Sequence, residues 1–284
     1  MTIVTVALLT LREARRRKVV WALAGLTAVL LGLDAWGFAK LPGLQTNQAG
    51  ELTNGEARII ASILLNLVMF TMSLVIALGT AFLAGPTLSG ELESGIAGAV
   101  LARPVRRVSV LLGKWLGLSL FATGYVAVAG GIQFLIVRVT TGYLPPDPFV
   151  ALLVMAAEAV VLLTLALMLS SVLSPMASGV LAVGCFGATW VAGVIGGIGE
   201  VLGNDGVARI GDVSRILLPT DGLWHGVMHA LQAPSVLSDL SGQDGAANPF
   251  LSTLPLTPAY LAWVVVWLAI VLAVTAASFA RRDV

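Results

Sequence analysis

Residues 159–199 read AVVLLTLALMLSSVLSPMASGVLAVGCFGATWVAGVIGGIG, without one charged side chain. A helix crosses the hydrocarbon core of a bilayer in about 20 mostly apolar residues, so this run is too long for a single crossing. It carries its own break. Ser170, Ser171, Ser174, Pro175, Ser178 and Gly179 cluster near its middle, and Pro and Gly interrupt helices. The spacing predicts two membrane helices, over residues 149–173 and 178–198. Lipid offers backbone amides no partner, so segments of this kind cross as helices.

Outward from that pair the same reading finds four more spans. Residues 19–38 are interrupted only by Asp34, and residues 59–84 lie inside an uncharged run that continues to Gly90. Residues 108–137 end at Arg138, and residues 258–280 end at Arg281 and Arg282. Before the first span, residues 3–20 are amphipathic: apolar positions come first, then Arg12, Glu13, Arg15, Arg16, Arg17 and Lys18. Such a segment suits a helix in the headgroup layer, its basic part held by anionic lipid. The expected fold is therefore an all-α integral membrane protein, one domain of a surface helix plus six spans. Composition agrees. Of 284 residues, 58% are hydrophobic and 11% charged, against roughly 25% charged in a soluble domain, and the mean hydropathy is +0.96.

Six spans put both termini on one side. Lys and Arg accumulate on the cytoplasmic side of short loops. The side with the termini holds 11 of them by count from the sequence, and the other side holds Lys40, Arg58, Arg138, Arg209 and Arg215. Both termini are expected to be cytoplasmic, with residues 199–257 as a long outer loop. Within that loop, 209–218 and 222–231 suit short surface helices. A cleavable signal peptide is not expected, because residues 1–10 are apolar and the basic cluster follows them. A single cysteine, Cys185, excludes an intrachain disulfide and a multi-cysteine metal site. The basic residues form no extended aromatic-interleaved face, which argues against nucleic acid as a partner.

The inner connection, residues 85–107, has the sharpest pattern. Glu91 and Glu93 come first, Gly95 follows, and an apolar run covers 96–101. Pro104, Arg106 and Arg107 close the segment before Gly113 and Lys114. A short helix here would have acids at its positive end and bases at its negative end. Ile96, Val100 and Leu101 would then share one apolar face that needs a surface to pack on.

At Glu91, Glu93, Gly95, Pro104, Arg106, Gly113 and Lys114 the sequence resembles ABC-2-type permeases. It is most similar to the six-span group that includes the nitrous-oxide-reductase maturation permease. Ile96 stands where that group usually has a small hydroxyl residue. Leu217-Leu218-Pro219-Thr220-Asp221 is a second, shorter match, to a turn before a surface helix. The resemblance implies that residues 3–20 are an elbow helix. It implies that the inner segment is a coupling helix docking on a separate P-loop ATPase, with Glu91, Glu93, Gly95, Ile96, Val100, Pro104, Arg106, Arg107 and Lys114 as the coupling residues. It also implies two permease copies, as a homodimer with two ATPase chains in the cell (inner) membrane, and substrate export. ATP and magnesium would sit on the partner, since the only Gly-Lys pair here, Gly113-Lys114, is followed by Trp115 and lacks a glycine at position 108.

Two carboxylates fall within spans, Glu158 and Asp34. An ionisable group there costs at least about 2.5 kcal/mol at the membrane centre and marks a candidate polar site. Glu158 also suggests an alternative, a proton-coupled secondary transporter. A membrane-embedded assembly factor is a third reading. An inverted repeat would favour the secondary transporter and none is evident. No Gly-x-Ser-x-Gly or His-Glu-x-x-His motif suggests catalysis. Asp221, His225 and His229, four residues apart, would share a helix face, but surface polarity explains them better than metal.

Overall fold

A computed structural model describes residues 3–41, 45–46, 50–51, 54–93, 107–232, 252 and 255–280. Among these residues the chain is helical apart from turns and one two-residue antiparallel pair, Gln45–Thr46 with Gly50–Glu51. The helices are α1 Ile3–Ala14, α2 Lys18–Lys40, α3 Asn54–Glu93, α4 Arg107–Thr141, α5 Pro148–Ser170, α6 Pro175–Val201, α7 Asp205–Leu217, α8 Thr220–Leu231 and α9 Pro258–Ala280. Six of them (α2 to α6 and α9) are long and apolar enough to cross a membrane. They run alternately up and down, so α1 and the end of α9 share one end of the bundle, here the terminal end.

Lipid tails are as apolar as Leu, so these helices associate by close packing and hydrogen bonds rather than by leaving water. α5 is the centre: 67% of its apolar window is buried, against 6% for α2. α3, α4, α6, α8 and α9 all pack on α5. α1 lies along the start of α4, burying Val6, Ala7 and Thr10. Gly113 and Gly117 of α4 make that approach possible, because a Cβ at Gly113 would come within 2.9 Å of the Ile3 carbonyl oxygen and one at Gly117 within 2.9 Å of Thr10 Cβ.

The break between α5 and α6 falls within the serine cluster, but α6 begins at Pro175, three residues before the expected start. Proline is well suited to the first turn of a helix, where no amide partner is needed.

Two expectations are corrected. Residues 85–93 are not loop, because α3 continues through Pro86 to Glu93. A mid-helix proline removes one hydrogen bond and crowds the preceding turn. Ser170 of α5 braces the turn that follows: its hydroxyl donates to the Gly85 carbonyl, and the amides of Leu88 and Ser89 donate to its oxygen at 3.3 and 3.1 Å. Glu91 and Glu93 consequently lie in the last turn of a long helix rather than at the start of a short one.

The other correction concerns the long connection before α9. α7 and α8 do form and fold back as a hairpin, but only α8 departs from a surface helix: nearly all of it is buried among the spans, whereas α7 packs on α6 through Gly211 and Ser214 and leaves its other face exposed. Asn204 caps α7 by accepting from the Gly206 and Val207 amides. α7 then descends along α6, with the Gly196 and Gly211 backbones in contact. The turn at Pro219 lies level with Thr189 of α6, whose hydroxyl meets that of Thr220 at 3.0 Å. α8 climbs back to the mouth of α5, where the Asp147 amide and Tyr143 hydroxyl donate to the Ala230 and Leu231 carbonyls. With 13 and 12 residues, each arm is about 18–20 Å long.

α7 ends at the exposed Ile216 and Leu217, and the last carbonyls of a helix need donors that lipid cannot supply. α9 supplies the donors. Tyr260 Oη donates to Arg215 O, Trp263 Nε1 to Ile216 O and Trp267 Nε1 to Leu217 O, at 3.2, 3.2 and 2.7 Å.

Candidate functional site

Two polar clusters stand out, one at mid-depth and one near the terminal end. The deep one is built where the hairpin tip meets α3, α5 and α6. Glu158 is 4% exposed and accepts a hydrogen bond from Ser73 of α3 through Oε1 at 2.9 Å. Among the described residues its Oε2 has no hydrogen-bond partner. Asp221 enters from the first turn of α8, where the positive helix end favours a carboxylate. It lies directly against Gly193 of α6, a position at which any Cβ would overlap the carboxylate.

Arg215, at the end of α7, donates Nε to Asp221 Oδ2 at 2.9 Å. It also donates from Nη2 to His225 Nε2 at 3.0 Å. To accept from a guanidinium, Nε2 must keep its lone pair, so His225 is neutral with its proton on Nδ1. Burial pushes this imidazole below its usual range; Asp221 pulls it up and Arg215 pushes it down again. The guanidinium occupies the side that Asp221 and His225 would both turn toward a metal ion, and the described residues hold no set of metal ligands.

Beside these groups Phe70, Glu158, Phe186, Trp190, Thr220, Asp221 and Trp224 line a narrow crevice. Phe70 packs against both indoles, with ring centroids 5.1 Å from Trp190 and 5.3 Å from Trp224. Asp34, half-buried in α2, does not line it.

The second cluster lies where α3 leaves the bundle. Lys114, 6% exposed, donates from Nζ to the Thr87 carbonyl at 3.1 Å. Arg17 donates to the Leu83 carbonyl at 3.2 Å and pairs with Glu13 at 2.7 Å. Arg107 donates to the Phe279 carbonyl at 3.4 Å near the end of α9, where a cation suits the negative helix end. Thus Lys114 and Arg107 are tied into the bundle, and Glu91 and Glu93 end α3. Gly95, Ile96, Val100, Leu101, Arg103, Pro104 and Arg106 lie outside the described residues.

The sequence points to Glu158 and, through the Pro-Thr-Asp turn, to the hairpin tip. It does not point to Ser73, Ser170 or the aromatic walls, which look like any other hydroxyls and rings in a span. Arg215 and Asp221 are six apart on different helices, and only the turn at Pro219 brings them together.

Residues 4–284 match a protein family described as ABC-2 family transporter protein. No curated protein matches the chain.

Proposed function

Because the chain belongs to the ABC-2 transporter family, a multi-pass membrane component that implies an ATP-binding partner subunit, we propose that it is the permease half of an ATP-driven exporter. The match over nearly the whole chain carries this reading. Two copies pair as a homodimer in the cell membrane, each served by one ATPase chain that binds ATP and magnesium. Its six spans and elbow-like α1 favour the group that includes the nitrous-oxide-reductase maturation permease.

In this reading the segment between α3 and α4 docks on the ATPase through Ile96, Val100 and Leu101, with Glu91, Glu93, Gly95, Pro104 and Arg106 shaping it. Movement there reaches the spans through α3. The Pro86 turn, short of one ladder hydrogen bond and braced by Ser170, Lys114 and Arg17, is the place where α3 is easiest to bend.

The test is co-purification of the permease with its ATPase, together with permease-stimulated ATP hydrolysis. Val100→Asp is expected to lose both, because a buried apolar anchor controls dissociation. Wild-type complex formation and coupling in that variant would overturn the docking assignment. Transport that collapses with an uncoupler at constant ATP would favour the proton-coupled alternative through Glu158.

A further inference from the structure

The fold sorts the bases around α1 into one that turns inward and four that do not. Arg17, the last residue before α2, donates to the Leu83 carbonyl of α3 and pairs with Glu13. That carbonyl stands three residues before Pro86, in the turn that the proline weakens. Arg12, Arg15, Arg16 and Lys18 stay exposed, and no carboxylate among the described residues pairs with them. They cannot swing inward, because the opposite face of α1 (Val6, Ala7, Thr10 and Ala14) is buried, held close against Gly113 and Gly117 of α4.

The neighbours of these four bases are apolar and exposed as well. Val4 and Leu8 are 65% and 54% exposed, and their spacing to Arg12 and Arg15 puts all four on the outer side of α1. Trp21, in the first turn of α2, is 71% exposed, and indoles collect at the headgroup level of a bilayer. Exposed cations with exposed apolar side chains beside them suit the boundary between acyl chains and anionic headgroups. An acidic protein surface would meet the charges and leave Val4, Leu8 and Trp21 without a counterpart.

We propose that Arg12, Arg15, Arg16 and Lys18 form a binding surface for anionic phospholipid headgroups, and that lipid held there steadies the Pro86 turn of α3 through Arg17. Four cations within residues 12–18 repel one another. Lipid phosphates cancel that repulsion, so the corner between α1 and α2 stays compact and Arg17 stays aimed at Leu83. The binding is independent of the permease reading. Its effect on ATP hydrolysis rests on that reading, because α3 leads to the segment assigned to the ATPase.

Short-chain phosphatidylglycerol or phosphatidylcholine is titrated onto the detergent-solubilised full chain while its melting temperature is followed. Phosphatidylglycerol is expected to give a saturable rise and phosphatidylcholine none. In Arg12→Gln/Arg15→Gln/Arg16→Gln the half-saturating concentration is expected to increase at least tenfold. Lys18→Gln keeps the test open if the triple variant fails to fold, and is expected to increase it about fivefold, the effect of one base near an anionic surface. Permease-stimulated ATP hydrolysis is then compared in nanodiscs of phosphatidylcholine alone and of equal parts phosphatidylcholine and phosphatidylglycerol. The anionic lipid is expected to raise it severalfold. Arg17→Gln is expected to bind the lipid as the wild type does and to lose that stimulation. Equal responses to the two lipids, or unchanged phosphatidylglycerol affinity in a folded variant, would overturn the binding surface. A triple variant that sheds the ATPase while keeping its lipid affinity would give this face to an acidic protein partner instead. Wild-type lipid binding without stimulation, or stimulation that persists in Arg17→Gln, would overturn the link to α3. Failure of the wild-type chain to associate with an ATPase counts against the permease reading and leaves the lipid titration standing.

Discussion

At the scale of single residues, the polar side chains in this bundle mostly repair backbone rather than meet one another. Lys114 is an example: a buried ammonium is expensive, and it is kept because its Nζ reaches the Thr87 carbonyl beside the Pro86 turn. Lys114→Met keeps most of the stem's packing and removes the donor. It is expected to cost about 1–3 kcal/mol, the range for leaving a buried acceptor short of a partner, read as a lower melting temperature of the detergent-solubilised protein. His225 gives a pH signature with a definite sign. Its folded-state affinity for protons is lowered, mainly by burial, while the unfolded chain titrates near pH 6.5. The unfolded state therefore binds more protons as pH falls, and the stability that neutral His225 confers is complete above about pH 6.5 and is lost below it. Asp221 and Arg215 flank the ring and Glu158 lies beyond Asp221, so the profile is best isolated by difference. His225→Gln, which still offers an acceptor to Arg215, is expected to flatten the fall in melting temperature between about pH 7 and pH 5. A parallel fall in both proteins would assign the acid limb to other groups.

At the scale of elements, the spans were legible and the places where backbone is interrupted were not. Apolar length locates all six long helices, and residues 258–280 agree at both ends. Pro86 misleads because a proline after a glycine, in a stretch ending in acids, reads as the end of a helix. What keeps the helix going is Ser170, 84 positions away in sequence and on another span. Polarity likewise places α8 on the surface with α7, since nothing local says that α8 will be buried or that Trp263, Trp267 and Tyr260 will satisfy the end of α7. Two substitutions test these elements. Ser170→Ala is expected to destabilise by about 0.5–1.5 kcal/mol by removing the hydrogen bonds that brace the Pro86 turn. In a Pro86→Ala background the same change is expected to cost less, because a closed α3 ladder no longer needs the hydroxyl, and a double-mutant cycle measures the difference. Additive costs would mean that Ser170 does not act through the proline turn. For the hairpin, a Cβ at Gly196 would stand 2.7 Å from Gly211 Cα, and backbone cannot yield as a side chain does. Gly196→Val is expected to lose about 1–3 kcal/mol through overpacking, whereas Gly184→Ala, with open space around it, is expected to be neutral or slightly stabilising.

At the scale of the whole molecule, the two ends of the bundle are chemically unlike. Basic residues gather at the terminal end, around α1, the start of α4 and the end of α9, while the far end sends a helical hairpin back to mid-depth. This asymmetry has a mechanical consequence. A push on α3 at the terminal end acts on the helix that also carries Phe70, a wall of the deep crevice, and Ser73, the donor to Glu158, so the two polar clusters are linked through one continuous element. The hairpin approaches the same crevice from the other side and is held by α9 through three aromatic hydrogen bonds. Orientation then decides which compartment each cluster serves. The excess of Lys and Arg predicts that the terminal end faces the cytoplasm, which would put the mouth of the hairpin outside. Cysteine accessibility settles it. Cys185, the eleventh residue of α6 and partly buried, is expected to resist a membrane-impermeant maleimide. In a Cys185→Ala background, Asp239→Cys, in the connection between α8 and α9, is expected to label in intact cells, and Arg16→Cys only after permeabilisation. The reverse pattern would turn the molecule over: the crevice would then open toward the cytoplasm through the hairpin, the segment between α3 and α4 would lie outside, and docking of that segment on a cytoplasmic ATPase would be impossible.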